Sequence, residues 1–462
     1  MASIIKRKSK YSVVYYYIDS AGEKKQRWES YESHKDALRR KSEVEHKINE
    51  GTFIPPTEQN VSGFLADFVS LYGEKKWSAT TFQDSSGLIK NYINPLIGDE
   101  AIQDINPRFV DKFLKELEKT KSVGTNYREA KSEYVTPRTI EKIYKLLACA
   151  FRQAVRWELV AKNPFEHTVV PKVAYARRDI WTADMIRKSL DACRDSKLHI
   201  AINLSFACSL RIWEILGLTW DNVHISDAEI AADNAFVFVD KELLRLSKNA
   251  IEAVGDRDIL LTFPAVLSSN ASTRLVLKTP KTESSVRKVW LPKTLAYILR
   301  EWKKSQDELK EFLGDEYQDF NLVIAHQNGR PCEQRTINKE FAALKKEAGL
   351  PEVVFHSLRH SSTTYKLKLN HGDLKATQGD TGHAQIDMIT DVYSHILDED
   401  RKVNAQKFES AFYNPDLREV RPPLDRSAGF DIQALVAELR GNPALANTLA
   451  QILSDQGRSA SY

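Results

Sequence analysis

The chain has 462 residues, 42% of them hydrophobic, with 67 Lys and Arg against 63 Asp and Glu for a formal net charge of +4. That length suits two to three domains with adequate cores rather than one, and so balanced a charge means that any polyanion-binding surface must arise from local clustering. Four scattered cysteines (Cys149, Cys193, Cys208, Cys332) with no CxxC pair argue against a disulfide framework or a zinc site. The absence of any run of about 18 apolar residues argues against a membrane span or secretion signal, so a soluble protein in a reducing cytosol is expected.

In chain order, residues 1–27 concentrate Lys6, Arg7, Lys8, Lys10, Lys24, Lys25 and Arg27 against Asp19 and Glu23. This local positive excess reads as a phosphate-facing surface. Residues 11–18 are β-branched and aromatic, Asp19 to Gly22 supply a turn, and a second strand runs through Trp28, which predicts a hairpin. Ser33 caps a helix over 34–50, Gly51 stops it, and Pro55-Pro56 close the unit. A β-ribbon can enter a major groove, which makes Lys24, Lys25 and Arg27 candidate DNA contacts beside Tyr15 to Tyr17; the same tyrosines equally suit a small core.

From Val61 to Pro164 the apolar spacing turns helical. Phe64, Leu65, Phe68, Val69 and Tyr72 share one face, Ile140, Ile143, Leu147, Phe151, Ala154 and Val155 share another, and Thr136-Pro137 opens the helix that carries them. By periodicity alone this is a bundle. Residues 166–178, with Pro171, Lys172, Arg177 and Arg178, lack periodicity and fit a linker, either passing close to phosphates or simply solvated.

The next unit begins near Asp179, with Thr182 capping its first helix, and extends to about Phe412. An apolar helix is predicted over 202–218, and a buried Arg211 inside it would be costly unless it met an anion. Between Arg211 and Lys281 lie stretches at 233–254 and 264–273 to which the sequence assigns no role. Beyond Arg426, residues 432–453 form a further helical segment interrupted at Gly441-Asn-Pro443; its Leu435, Val436, Leu439, Leu445, Leu449 and Ile452 could dock on this chain or on a neighbour.

The densest chemistry is His356-Ser-Leu-Arg359-His360, then Gly382-His383, then Tyr393. Breaking a phosphodiester requires cations on its non-bridging oxygens, a nucleophile, and a proton for the leaving oxygen. Arg, His and Tyr supply most of this.

These residues resemble the second box of the tyrosine recombinases, or phage-type integrases. Ala207-Cys-Ser-Leu-Arg211-Ile-Trp-Glu214 resembles the family's first box, with Cys208 and Ser209 standing where the family often has Thr and Gly. Residues 279–292 fit the place of the family's lysine, Lys281, which the resemblance puts on a β-hairpin; Lys278 and Lys288 are its neighbours. The resemblance implies a multidomain, mainly α protein: an arm-type DNA-binding β-sheet plus helix at 1–56, an all-helical, SAM-like core-binding domain at 60–165, a linker at 166–178, a mixed α+β catalytic domain at 179–412, and a C-terminal extension at 413–462.

It also implies the chemistry. Tyr393 would attack in line to give a 3′-phosphotyrosyl link and a free 5′-hydroxyl, with Arg211 and Arg359 clamping the phosphate. His356 would help deprotonate the tyrosine, Lys281 would protonate the departing oxygen, and His383 would donate to the phosphate. Gly382 would allow close approach, Glu214 would hold the arginine helix in register, and His360 and His395 would support their neighbours. Tyr365 and Tyr17 are alternative hydroxyls. No cofactor and no metal are implied. The implied partners are duplex DNA at core and arm sites, three further copies in a synaptic tetramer, an excisionase and a host DNA-bending protein, in the cytoplasm of a bacterial host and associated with its nucleoid. A type IB topoisomerase and a non-cleaving DNA-binding regulator are the alternatives.

Overall fold

A computed structural model of the chain describes residues 2–18, 22–124, 129–130, 132–171, 179–255, 257–265 and 271–382, together with 440, 441, 443, 444 and 447. The chain divides into two units, Met1–Tyr393 and Ser394–Tyr462, and every element below belongs to the first. Lys172, Arg177, Arg178, His383, His395, Tyr393 and nearly all of the C-terminal extension lie outside the described residues.

Strands β1 (Ser3–Arg7), β2 (Lys10–Ile18) and β3 (Lys24–Tyr31) form an antiparallel sheet in that order. Helix α1 (His34–Asn49) is capped by Ser33, whose side chain accepts from the Lys35 amide. The two-residue period of β2 divides its tyrosines. Val13 and Tyr15 face inward onto Ala37 and Val44 of α1, while Tyr16 is exposed. The buried Tyr15 hydroxyl donates to Glu29 Oε1 at 2.6 Å, and Arg40 holds the same carboxylate. On β3, Lys24, Lys25 and Arg27 are exposed, opposite Ile18, Tyr17 and Tyr15. The first strand is an addition to the predicted hairpin: its basic residues hide an extended segment that pairs along β2.

A second apolar core is built by α2 (Val61–Asp67), α3 (Ala79–Leu88), α4 (Pro107–Leu117) and α5 (Pro137–Arg156). Phe64, Leu65 and Phe68 meet Ile140, Ile143, Leu147 and Phe151 with essentially no exposure. The i, i+3, i+4 spacing puts each set on one stripe, and Thr136 caps α5 with a proline at its first position.

The largest core follows. Its helices are α6 (Ala183–Ala192), capped by Thr182, α7 (Ser196–Ala207) and α8 (Ile212–Leu216). After β4 (Val223–His224), β5 (Phe236–Val239) and β6 (Glu242–Ser247) come α9 (Lys248–Val254), β7 (Ile259–Thr262), β8 (Thr273–Lys278) and β9 (Arg287–Trp290). Helices α10 (Lys293–Leu313), α11 (Gln334–Glu347), α12 (His356–Leu369) and α13 (Leu374–Thr381) complete it. The mixture of helices with small sheets is α/β in character.

Two expectations are corrected here. The single helix over 202–218 is broken: α7 stops at Ala207, Ser209 takes a left-handed φ of 54°, and the chain re-enters a helix only after Arg211. Periodicity over an apolar run cannot register one residue crossing to positive φ. The β-hairpin around Lys281 is also absent. The two flanking strands belong to different antiparallel sheets, of order β6-β8-β7 and β4-β5-β9. Pro280, which has no N–H to donate, ends the extended run.

The stretch left without a role by the sequence bridges two of the cores. Leu244, Leu246, Ala250, Val254 and Val276 bury against Ala79 and Phe82 of α3. The Ser247 amide donates to Gln83 Oε1 at 2.7 Å, and Arg257 Nη1 donates to the Lys75 carbonyl at 2.9 Å. Among the described residues no helix is long and apolar enough to cross a membrane.

Candidate active site

The break at Ser209 is what places Arg211. Its φ and ψ of −74° and 150° are extended, so it stands at the mouth of α8 instead of inside a helix. Its own amide donates to Glu214 Oε2 at 2.9 Å, and its Nη1 donates to Glu214 Oε1 at 2.7 Å. Gly217, at the end of α8, lets the backbone press onto β6: a Cβ there would come within 2.8 Å of Glu242 Cα.

Helix α12 supplies the second arginine. It is enclosed on most sides and carries small buried hydroxyl side chains, Ser357, Ser361, Ser362, Thr363 and Thr364. Ser361 and Thr363 bond back to carbonyls four residues earlier, which satisfies them inside the core and permits close packing against α7. Ser362 Oγ and Ser209 Oγ lie 2.6 Å apart and tie α12 to the break between α7 and α8. Arg359, 1% exposed, donates to the Ser209 carbonyl and, at 2.5 Å, to the Thr381 carbonyl. His356 sits half-buried at the start of α12 with its ring edge-on to His360, centroids 4.7 Å apart.

A third arginine, not singled out as a site residue by the sequence, completes the cluster. Arg287 of β9 donates to Glu214 through Nη1 at 3.2 Å and Nη2 at 3.0 Å, to the Ser285 carbonyl at 3.0 Å, and through Nε to the Asp380 carbonyl at 3.1 Å. Glu214 thus touches Arg211 and Arg287 directly, with Arg359 Nη1 at 3.9 Å. The available signal was strand alternation: Arg287 shares the inward face with Val289 while Lys288 and Trp290 point out. Nothing local identifies its partner 73 residues away.

The electrostatics follow from burial. Desolvation alone would keep Glu214 protonated, but Arg287, then Arg359 and Arg211, outweigh it and hold its pKa at about 2. For Arg359, burial first and then repulsion from Arg211 push the guanidinium well below its ordinary range. Within the described cluster, three guanidinium charges face one carboxylate, leaving a local excess of two positive charges.

Gly382 closes α13 in the left-handed region, φ 63° and ψ 38°. A Cβ there would meet Arg287 Cδ at 2.9 Å. Its carbonyl accepts from Arg211 Nη2 at 3.4 Å. Lys281 is exposed in the connection between β8 and β9. Its neighbours are engaged elsewhere: Lys278 is buried beside Glu242 at 3.6 Å, and Lys288 Nζ lies 3.6 Å from the Phe236 ring centroid. Tyr365 has a structural task, accepting from the Ala183 amide at 2.8 Å and packing edge-on to Phe206. The structure therefore brings Arg211, Glu214, Arg359 and Gly382 together around Arg287, whereas Lys24, Lys25 and Arg27 lie apart on β3.

A sequence model of the phage integrase family matches residues 181–400, a span that contains Arg211, Lys281, His356, Arg359, His383 and Tyr393. Residues 181–400 therefore form a phage integrase family domain. The chain is 23% identical over 381 residues to a tyrosine recombinase XerC-like protein of Caldanaerobacter subterraneus, with 80% of this chain and 88% of that protein covered. It is 21% identical to the ICEBs1 integrase of Bacillus subtilis, covering 71% and 77% of the two chains. Its fold is similar to that of the Tn1549 transposon integrase solved with a circular intermediate DNA, with a TM-score of 0.56 at 18% identity over 76% of this chain and 99% of that one.

Proposed function

We infer that this protein is a site-specific integrase that cleaves and rejoins DNA strands through a 3′-phosphotyrosyl intermediate, integrating and excising a mobile element or phage genome. The observation that carries the reading is the buried arginine cluster around Glu214, whose positive excess calls for an anion. Arg359 and Arg211 offer planar donor forks matched to the non-bridging oxygens of a phosphate, and in a water-poor site such preorganised cations stabilise the charge that builds during in-line displacement. The relatives named above are a recombinase and an integrase, which favours strand exchange over relaxation by a type IB topoisomerase and over a non-cleaving regulator.

In the proposed mechanism the Tyr393 oxygen attacks the scissile phosphorus while its proton passes to His356. The P–O5′ bond breaks, and the 5′-oxygen takes a proton from Lys281. His383 donates to the phosphate. The phosphodiester energy is held in the phosphotyrosine, so a second strand's 5′-hydroxyl can attack it and release the tyrosine without ATP. Lys281, exposed on its connection, can approach the leaving oxygen once DNA is present.

The proposed layout is an arm-binding sheet at 1–56, a core-binding helical domain at 60–165, a linker at 166–178, a catalytic domain at 179–412 and an extension at 413–462. Lys24, Lys25 and Arg27 would contact arm DNA, and Lys172, Arg177 and Arg178 the backbone near the core site. Four copies would assemble at a synapse in the cytoplasm of a bacterial host, with an excisionase and a DNA-bending protein setting direction.

The test is covalent capture. The protein is incubated in EDTA with a randomised nicked-duplex library, and detergent-resistant adducts are sequenced beside a Tyr393→Phe control. Adducts present in wild type and absent from the control support the reading and reveal the core site; DNA binding without adducts overturns it.

A further inference from the structure

The mechanism assigns tasks to Arg211 and Arg359 but none to Arg287, although Arg287 is among the most completely engaged charges in the molecule. We propose that Arg287 is a positioning residue for strand cleavage: it occupies the Glu214 carboxylate with its own donor fork, so that Arg211 keeps its donors and charge for the scissile phosphate. The inference rests on the recombinase reading above.

Glu214 lies one helical turn beyond Arg211 and is 3% exposed. Left alone with Arg211, a buried carboxylate at this distance would take the whole guanidinium fork, because a bidentate pair satisfies both groups best in a dry environment. It does not. Arg287 takes both carboxylate oxygens, at 3.0 and 3.2 Å, leaving Arg211 a single side-chain bond to Glu214 at 2.7 Å. Arg211 Nη2 is turned to the Gly382 carbonyl instead, at a long 3.4 Å. The third arginine therefore acts as the standing counter-ion of the carboxylate, and the carboxylate acts as the orienting group of Arg211.

Arg287 has a second hold. Its Nε bond to the Asp380 carbonyl and the contact that forbids a Cβ on Gly382 fix the end of α13, one residue before His383 in the sequence. The left-handed glycine and the buried arginine are two halves of one arrangement. Lysine cannot replace this, since a single ammonium offers neither the fork nor the planar Nε donor.

Charge counting separates this role from simple packing. Arg287→Met drops the local excess from two positive charges to one and frees Glu214 to neutralise Arg211. Glu214→Gln alone raises the excess to three. The double variant Arg287→Met/Glu214→Gln returns it to two without the original contacts. Adduct formation on the randomised nicked-duplex library is measured at saturating protein, with filter retention of the same library reporting binding and thermal unfolding reporting the fold.

Arg287→Met should lower the adduct rate roughly tenfold to hundredfold, the usual size of losing a partner that orients a reacting group, with library binding changed less than about threefold. The double variant should be faster than Arg287→Met, as expected for a coupled pair, yet slower than wild type, because it releases Arg211 from the unpaired carboxylate but lacks the group that orients it. Equal rates in Arg287→Met and wild type, or a double variant no faster than Arg287→Met while both remain folded, would overturn the proposal. Failure of wild type itself to form adducts lost in Tyr393→Phe would count against the recombinase reading instead, so the two failures are distinct. Should Arg287→Met not fold, Arg287→Lys replaces it: retained charge without the fork is expected to give an intermediate rate, and a rate equal to wild type sinks the idea.

Discussion

Glu214 and Arg287 form a two-point ion pair, Oε2 to Nη2 at 3.0 Å and Oε1 to Nη1 at 3.2 Å, with side chains only 3% and 6% exposed. A pair so enclosed is weak evidence of stability as a whole, because desolvating both charges offsets much of their attraction, but removing one member leaves the other stranded. Glu214→Gln should therefore destabilise the protein by about 3 kcal/mol, read as a lower denaturant midpoint at unchanged slope. The same carboxylate predicts acid sensitivity. Its pKa falls from 4.5 to about 2 on folding, so the unfolded chain binds the extra proton between those values. The stabilisation is complete above pH 4.5 and lost as pH falls toward 2; unfolding curves across that window should be flatter for Glu214→Gln than for wild type.

Gly382→Ala tests the other side of the cluster. The position has a φ of 63°, where an L side chain is strained, and the new methyl would strike Arg287. The expected cost is at least about 1 to 2 kcal/mol of stability, together with a loss of adducts beyond what reduced folding explains. An alanine variant with wild-type stability and cleavage would show that Arg287 can give way freely.

The contact of α9 with α3 predicts mechanical coupling between the helical core and the largest core. Ala250 is fully buried against this seam. Ala250→Glu would bury an unpaired carboxylate at a cost of about 2 kcal/mol or more. Hydrogen exchange should rise together in α3 and α9 while β1 to β3 keep their protection; a uniform rise throughout would mean that the seam is not a separate unit of stability.

Two tyrosines can be separated directly. Tyr365→Phe removes an acceptor for the Ala183 amide, with an expected cost of about 1 kcal/mol and little change in adduct yield. Tyr393→Phe should abolish adducts with no effect on stability. The opposite pattern in a capture assay would reassign the nucleophile to α12.

Short-range features were legible before any fold was known. Ser33, Thr136 and Thr182 announce helix starts because a cap depends on amides two or three residues away, and the β-branched and aromatic run over 11–18 announces a strand, although which of its tyrosines is buried was decided by the packing of α1. The motifs around Arg211, Lys281, His356, Arg359, Gly382-His383 and Tyr393 likewise carried the family resemblance unaided. What only the tertiary structure decided depends on residues far apart in the chain. Ser209 can hold a left-handed turn because Ser362 and Arg359 of another helix meet it there, and β8 and β9 part company because each finds a better partner in a different sheet. Arg287 reaches Glu214 across 73 residues of chain. Local chemistry chooses how each segment begins, but burial of charge is settled only when distant segments close around it, which is why the motifs carrying Arg211 and Arg359 could be read in one dimension while Arg287 and the counter-ion arrangement could not.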